Sequence, residues 1–247
     1  MRAMILAAGK GTRLRPLTES VPKPLIEVAG QPMIAYPLDL LRRAGIQEVV
    51  VNLHHLGGQI RAALGDGHRY GMRIIYSEED PILDTGGAIA AAREELSGDA
   101  FVVANADMFI DLELAAVVEF HHQQRALATM VVRPDPDAMR NDDVRIDDGY
   151  RVRRMLGHTH PAAAGATEAL PRLFYAGVQV FDPRIFDYLP NGVYSITRDV
   201  YPRLLAADEP VFGYLHHGYW RVLDTPEDLA AGRREIAARL RGQDEFS

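Results

Sequence analysis

Residues 4–18 read Met4-Ile5-Leu6-Ala7-Ala8-Gly9-Lys10-Gly11-Thr12-Arg13-Leu14-Arg15-Pro16-Leu17-Thr18. The apolar start predicts a short buried strand that ends at Gly9. Small residues directly after a strand let the backbone approach a ligand closely, and consecutive N–H groups in such a turn can point at phosphate oxygens. Arg13 adds a fork of donors suited to phosphate. Shortly after, Pro22-Lys23-Pro24-Leu25 holds a lysine between two prolines, which restrict the backbone and present Lys23 at little entropic cost. As residues alone, the stretch also fits a glycine-rich β–α turn carrying surface cations. Two other phosphate-binding spacings fail. Gly-x-Gly-x-x-Gly needs a glycine where Leu14 stands. The Walker A pattern needs a Gly-Lys-Ser/Thr that is missing here.

Working outward, short apolar runs alternate with helical patterns. Strands are expected at 49–51, 72–76 and 100–104, and helices at 33–44, 56–64, 87–96 and 112–124. Such alternation implies right-handed crossovers and a mostly parallel sheet. The second half changes character. Strands are expected at 128–133 and 174–181, and a hairpin at 141–155 around Asp147-Asp148-Gly149. Residues 158–171 are rich in Ala, Gly, Thr and Pro and read as a mobile loop. Residues 226–240 read as a closing helix with Thr225 as its N-cap. With no internal repeat and no clean linker, one α/β domain over 1–247 with a small β-rich C-terminal subregion is the expectation.

Composition narrows the function. Of the 247 residues 47% are hydrophobic, enough for a sizeable core. There is no cysteine, which excludes disulfides, thiolate metal sites and a cysteine nucleophile. The net charge of -7 argues against nucleic acid as a partner, without excluding a local basic pocket for a small phosphorylated molecule. The apolar run before Gly9 is too short for a signal peptide, and no stretch of about 20 apolar residues could span a bilayer. A soluble, cytoplasmic protein without membrane partners is expected. The pairs His54-His55, His121-His122 and His216-His217 invite a metal reading, but adjacent residues point different ways on helices and strands.

Leu-Ala-Ala-Gly-x-Gly-Thr-Arg-Leu-Arg-Pro-Leu-Thr followed by Pro-Lys-Pro-Leu resembles the signature of sugar-1-phosphate nucleotidyltransferases. The resemblance continues through Val51-Asn52, Leu83-Asp84-Thr85-Gly86-Gly87 and Asn105-Ala106-Asp107. It resumes at Phe174-Tyr175-Ala176-Gly177-Val178 and from Trp220 to Thr225-Pro226-Glu227-Asp228-Leu229, so it covers nearly the whole chain. The compact length most resembles the N-acetylmuramate-1-phosphate uridylyltransferases and short mannose-1-phosphate guanylyltransferases. The resemblance implies a doubly wound, Rossmann-like α/β domain with a mixed central sheet. Residues 1–125 would form its nucleotide-binding half and 126–247 its sugar-phosphate-binding half.

It also implies a reaction: a sugar 1-phosphate attacks the α-phosphorus of a nucleoside triphosphate, UTP or GTP being favoured, and pyrophosphate leaves. Leu6, Ala7, Ala8, Gly9, Gly11 and Thr12 would hold base, ribose and phosphates. Arg13 would hold the leaving phosphates, and Lys23 would bridge the α-phosphate and the attacking phosphate. Asn52, Thr85, Gly86 and Asn105, with Glu79 or Glu78 nearby, would line the nucleotide pocket. Small residues at a helix start leave N–H donors for a ligand, although Asp84 or Thr85 also reads as an ordinary N-cap. Gly177 would face the sugar, or mark a bulge. Asn141, with Asp142, is a further candidate for the sugar side. Asp107 offers a hard oxygen ligand to Mg²⁺ at a strand end.

One motif departs from the family pattern. The family reads Trp-x-Asp-Val/Ile-Gly-Thr-Pro, its aspartate being the second metal ligand, whereas this chain reads Trp220-Arg221-Val222-Leu223-Asp224-Thr225-Pro226. Valine cannot ligate Mg²⁺. Asp224 supplies the carboxylate instead, or Asp107, phosphates and waters suffice, or the site is impaired and the protein binds nucleotides without turnover. Asp224 also suits the start of the last helix as a plain dipole partner. A cytidylyltransferase for a non-sugar phosphate such as choline phosphate is a further alternative.

Overall fold

The computed structural model describes residues 1–134, 143–163, 165 and 167–244. Asn141 and Asp142, and with them the start of the expected hairpin, lie outside these residues. The chain opens with β1 (Arg2–Leu6), the short pair β2 (Glu27–Val28) and β3 (Gln31–Pro32), and helix α1 (Ala35–Arg43). Then come β4 (Glu48–Leu53), α2 (Gly57–Leu64), β5 (Arg73–Glu78), α3 (Asp84–Ala91) and α4 (Arg93–Leu96). β6 (Phe101–Asn105), β7 (Met108–Ile110), α5 (Leu114–Gln123) and β8 (Ala128–Pro134) follow. The remainder is β9 (Arg145–Ile146), β10 (Val152–Met155), β11 (His158–Thr159), β12 (Leu173–Phe181), α6 (Tyr201–Ala206), β13 (Val211–Leu215), β14 (Trp220–Val222) and α7 (Pro226–Asp244).

Seven strands form one sheet in the order β13-β8-β12-β6-β1-β4-β5. β4 and β5 run parallel, as do β8 and β13, while β12 lies antiparallel to β6 and β8. The sheet is therefore mixed. This is the mixed central sheet that the resemblance implies, and β12 is the strand that runs against its neighbours. Alternation shows which segments are strands but not their direction, and β12 is reached through the β9–β11 region rather than through a crossover helix.

The chain packs as two compact units. One comprises Met1–Met4, Ile82–Ala104 and Glu113–His217; the other comprises Ile5–Pro81, Asn105–Leu112 and Gly218–Ser247. In the first, Phe101 stacks on Phe186 with ring centroids 5.4 Å apart and lies 5.6 Å from Phe181. The fully buried Tyr201 donates its hydroxyl to Gln179 at 2.8 Å. Asp147 closes the β9–β10 hairpin by accepting from the N–H groups of Gly149 and Arg151, both at 3.0 Å.

The described residues of 158–171 are tied down, contrary to the mobile loop expected there. Arg145 Nη1 donates to the carbonyls of Thr167 (3.3 Å), Glu168 (3.1 Å) and Leu170 (2.8 Å). The buried His160 accepts the Ala162 N–H on Nδ1 at 3.1 Å, so its Nε2 carries the proton and donates to Asp208 at 2.7 Å. Composition gave no sign of this, because both anchors lie elsewhere in the sequence. The helix expected at 87–96 opens three residues earlier and splits at Ala92, for Asp84 takes φ 59° and its carboxylate accepts the Thr85 N–H at 2.6 Å.

The second unit is organised around Leu14, Ile26, Val28, Met33, Tyr36, Phe109, Leu223, Leu229 and Ile236. Tyr36 meets the edge of Phe109 at 5.0 Å and donates to the Val28 carbonyl at 2.6 Å. Thr225 caps α7, its Oγ1 accepting the Asp228 N–H at 3.1 Å. No helix among the described residues is long and apolar enough to cross a membrane.

Buried His121 gives a pH-dependent contribution to stability. Its Nδ1 lies 3.0 Å from Thr129 Oγ1, and burial first, with His122 and Arg184 adding and Asp182 opposing, pushes its pKa down to about 4. The folded value is below the unfolded one, so between about 6.5 and 4 the unfolded chain binds the extra proton and stability falls as pH falls. Denaturant melts should show wild type losing about 2 kcal/mol more than His121→Gln between roughly pH 7 and pH 5. Equal losses in the two proteins would remove His121 from this role.

Candidate functional site

Four charged side chains converge in the second unit. Lys23 Nζ lies 2.6 Å from Asp107 Oδ2 and 2.7 Å from Asp224 Oδ1, and Arg13 Nη2 lies 2.6 Å from Asp224 Oδ2. Two cations and two carboxylates thus form a neutral group. The side chain of Lys23 is only 9% exposed, whereas that of Arg13 is 69% exposed. One cation is locked in place and the other can move.

Local structure explains each position. Gly11 adopts φ 60°, where a Cβ would come 2.9 Å from Thr18 Cγ2 and 3.0 Å from Lys23 Cβ. That turn starts a 3-10 segment, Thr12–Leu14, which sinks Leu14 into the core and leaves Arg13 pointing out. Thr18 Oγ1 closes the loop on the Gly11 carbonyl at 2.8 Å. Lys23 opens a second 3-10 turn, Lys23–Leu25, after Pro22 in extended geometry. Buried Pro24 and Ile26 hold that turn down, the Ile34 N–H donating to the Pro24 carbonyl at 2.9 Å.

The carboxylates come from one strand pair. β7 and β14 are antiparallel with Met108 opposite Val222, and just beyond the ladder the Leu223 N–H donates to the Asp107 carbonyl at 2.9 Å. Leu223 turns its side chain into the core, where it seats against Gly232 of α7; a Cβ on that glycine would stand 2.3 Å from Leu223 Cδ2. Asp224 follows an inward residue and therefore points the other way, to Lys23 and Arg13. Val222 is a ladder residue. The carboxylate stands two positions along, just past the end of the strand rather than on it.

A second chain of contacts fixes the loop's base. Asn52 is buried, accepts the Ala7 N–H on Oδ1 at 2.6 Å and donates from Nδ2 to Glu79 Oε1 at 2.7 Å. The glutamate left open between positions 78 and 79 is thereby distinguished: Glu79 is buried against Asn52, whereas Glu78 is exposed and pairs with Arg61. Leu6 and Ala106 join through their backbones at 3.2 Å, next to Asn105 at the end of β6. His54 and His55, not singled out for this purpose, brace the same region: His54 Nδ1 reaches the Glu79 carbonyl at 3.0 Å and His55 Nε2 the Thr18 carbonyl at 2.9 Å. Only their adjacency was visible in the sequence.

Leu6, Ala7, Ala8, Gly9, Gly11, Thr12, Arg13, Lys23, Asn52, Glu79, Asn105, Asp107 and Asp224 all belong to this unit. Thr85, Gly86 and Gly177 belong to the other, and Asn141 lies outside the described residues. At the start of α3 the N–H donors are engaged by the protein, which corrects the expectation that they stay available. The Thr85 N–H goes to Asp84, and those of Gly86 (2.9 Å) and Gly87 (3.3 Å) go to the Tyr194 carbonyl. A Cβ on Gly86 would stand 2.4 Å from the Tyr194 ring, and one on Gly87 2.1 Å from the Gly192 carbonyl oxygen. Packing on residues 192–196 accounts for both glycines. Gly177 has φ 89° where the β12–β8 register shifts, which is a bulge.

The donor set suits a hard divalent cation. Mg²⁺ takes one or two carboxylates and completes its shell with phosphate oxygens and waters, and two carboxylates that already share one cation meet that requirement. Among the described residues no group of three or more His, Asp or Glu could hold a metal by itself.

Comparisons with known proteins agree with this geometry. The nucleotidyl transferase family profile matches residues 2–239. The chain is 35% identical to a mannose-1-phosphate guanylyltransferase of Mycobacterium tuberculosis over 95% of its own length, spanning 64% of that relative. It is also 35% identical to an N-acetylmuramate alpha-1-phosphate uridylyltransferase of Neisseria meningitidis, covering 89% of this chain and 91% of the relative. Among solved structures, HddC from Yersinia pseudotuberculosis, complexed with GMP-PN, has a TM-score of 0.77 at 21% identity over 95% of this chain and 99% of the other, a likeness of fold. From the glycine loop through the paired carboxylates to the closing helix, the chain belongs to the nucleotidyl transferase family.

Proposed function

We propose that the protein transfers a nucleotidyl group from a nucleoside triphosphate to a sugar 1-phosphate. The observation that carries this reading is the convergence of Lys23, Arg13, Asp107 and Asp224 beside a glycine loop. An oxygen of the sugar phosphate attacks the α-phosphorus. The bond from that phosphorus to the oxygen bridging to the β-phosphate breaks, and pyrophosphate departs with the electron pair. The chain needs no nucleophile of its own, so catalysis is positioning and charge neutralisation. UTP and GTP are the favoured donors, in keeping with the uridylyl and guanylyl transfer that the relatives' names describe.

Lys23 presents a point charge to the α-phosphate and the attacking phosphate. Arg13, on its exposed turn, turns its planar fork onto the leaving phosphates. Gly9 supports close approach of the nucleotide, because a Cβ there meets no protein atom within 4 Å and packing does not explain the glycine. Asn52 and Glu79 hold Ala7, and with it the backbone from Leu6 to Thr12, at one height. Thr85 and Asn105 complete the proposed nucleotide set, and Gly177 and Asn141 the sugar side, on the motif resemblance. Asp107 and Asp224 would hold Mg²⁺, which when bound neutralises phosphate charge.

Pyrophosphate release from UTP or GTP, offered with mannose, glucose and N-acetylmuramate 1-phosphates and with phosphocholine, tests the reaction. A sugar phosphate should support turnover, and Lys23→Ala should lower it by about two orders of magnitude or more, the scale expected for loss of one transition-state charge contact. Nucleotide binding without release from any pair would overturn the reading. Asp224→Asn should raise the Mg²⁺ concentration needed for half-maximal turnover; an unchanged requirement would leave Asp107 as the sole protein ligand.

A further inference from the structure

The position of Lys23 points to a role beyond contacting phosphate, on the assumption that the proposed function is correct. Its ammonium sits 2.6 and 2.7 Å from two carboxylates that come from the β6–β7 turn and from the link between β14 and α7. Magnesium–oxygen distances are about 2.0–2.1 Å, so a cation between these same two oxygens requires them to close by only about half an ångström each. The protein's own cation and a metal therefore compete for one place.

The residue type supports the same conclusion. Lys10 and Lys23 are the only lysines in the chain, and the other 25 of its 27 basic residues are arginines. An arginine spreads its donors over a rigid planar fork, whereas an ammonium concentrates charge on one atom with three rotatable donors. The latter puts the whole charge on the one atom that donates to both carboxylates, as a metal ion would, whereas an arginine nitrogen carries only a share of a delocalised charge. In a chain that uses arginine nearly everywhere else, the one buried cation between the carboxylates is a lysine.

Charge then sets the order of events. Lys23, Arg13, Asp107 and Asp224 sum to zero. A bare divalent cation entering this group must displace a poorly solvated ammonium and leave it beside a new double positive charge. A metal–triphosphate complex brings anionic oxygens that accept Lys23 and Arg13 as they leave the carboxylates. We infer that Lys23 is a resident stand-in cation for Asp107 and Asp224, so that the metal enters together with the triphosphate rather than ahead of it.

Direct Mn²⁺ binding, followed by electron paramagnetic resonance, tests this on wild type and Lys23→Met. The measurement is made with and without non-hydrolysable analogues of UTP and GTP. Wild type should bind Mn²⁺ tightly only when an analogue is present, and Lys23→Met should bind Mn²⁺ alone at least tenfold more tightly than wild type. A purely structural lysine would lower stability on substitution without raising metal affinity, so equal or weaker Mn²⁺ binding by the variant overturns the inference. Should that variant not fold, wild type labelled with ¹³C at the lysine ε-carbon gives two side-chain signals. The Lys23 signal should move with Mg²⁺ plus an analogue and stay in place with Mg²⁺ alone at the same concentration. Movement with Mg²⁺ alone overturns the inference. Absence of Mn²⁺ binding by wild type even with both analogues would overturn the proposed metal role of the carboxylates as well, and so is distinguishable from failure of the inference alone.

Discussion

A single buried ammonium holds three remote parts of the second unit in register. Lys23 bonds to Asp107 across 84 residues and to Asp224 across 201. Removing one member of a buried charge pair typically costs about 3–5 kcal/mol, because the partner stays behind unpaired in a poor dielectric. Two carboxylates that share one cation are thus strongly held to it. The turn around Pro22 and Pro24 and the end of the β7–β14 ladder are in turn held side by side by that shared cation.

The rest of the site is built to keep that arrangement fixed while leaving one arm loose. Gly11 is needed because its φ is positive and because a side chain there would push on Thr18 and Lys23. Leu14 and Leu223 go into the same core, each placing a charged neighbour, Arg13 and Asp224, on the opposite side. Asn52 bonds to both the Ala7 N–H and the Glu79 carboxylate through one amide group. Arg13 sits at the tip of a three-residue turn with its side chain mostly exposed, so its attachment to Asp224 can be exchanged for the proposed phosphate at little structural cost.

Glycines show how far a sequence can be read by type. Gly9, Gly11, Gly86 and Gly87 look alike as residues in motifs. In the structure Gly11 answers to backbone conformation and to Lys23, Gly86 and Gly87 to the loop at residues 192–196, and Gly9 to nothing in the protein. Proximity to a ligand is one of several reasons for a glycine, and the neighbours that distinguish them lie up to about a hundred residues away. The same holds for residues 158–171, whose composition suggests freedom and whose anchors, Arg145 and Asp208, lie outside the segment.

Local information was enough for β1, β4, β5, β6, α1, α2 and α5 of the first half, the turn at Asp147, the Thr225 cap and the glycine loop. These depend on apolar period, turn residues and caps, all of which act within a few positions along the chain. The antiparallel direction of β12, the choice of Glu79 over Glu78 and the arrival of Asp224 beside Lys23 were decided by tertiary structure. Each depends on which distant backbone a strand pairs with or which side a buried neighbour faces. At Val222 the motif lacks its carboxylate, and the sequence left open whether Asp224, two residues along, replaces it. The β14 ladder ending at that residue, followed by an inward Leu223, is what turns Asp224 onto the ammonium instead.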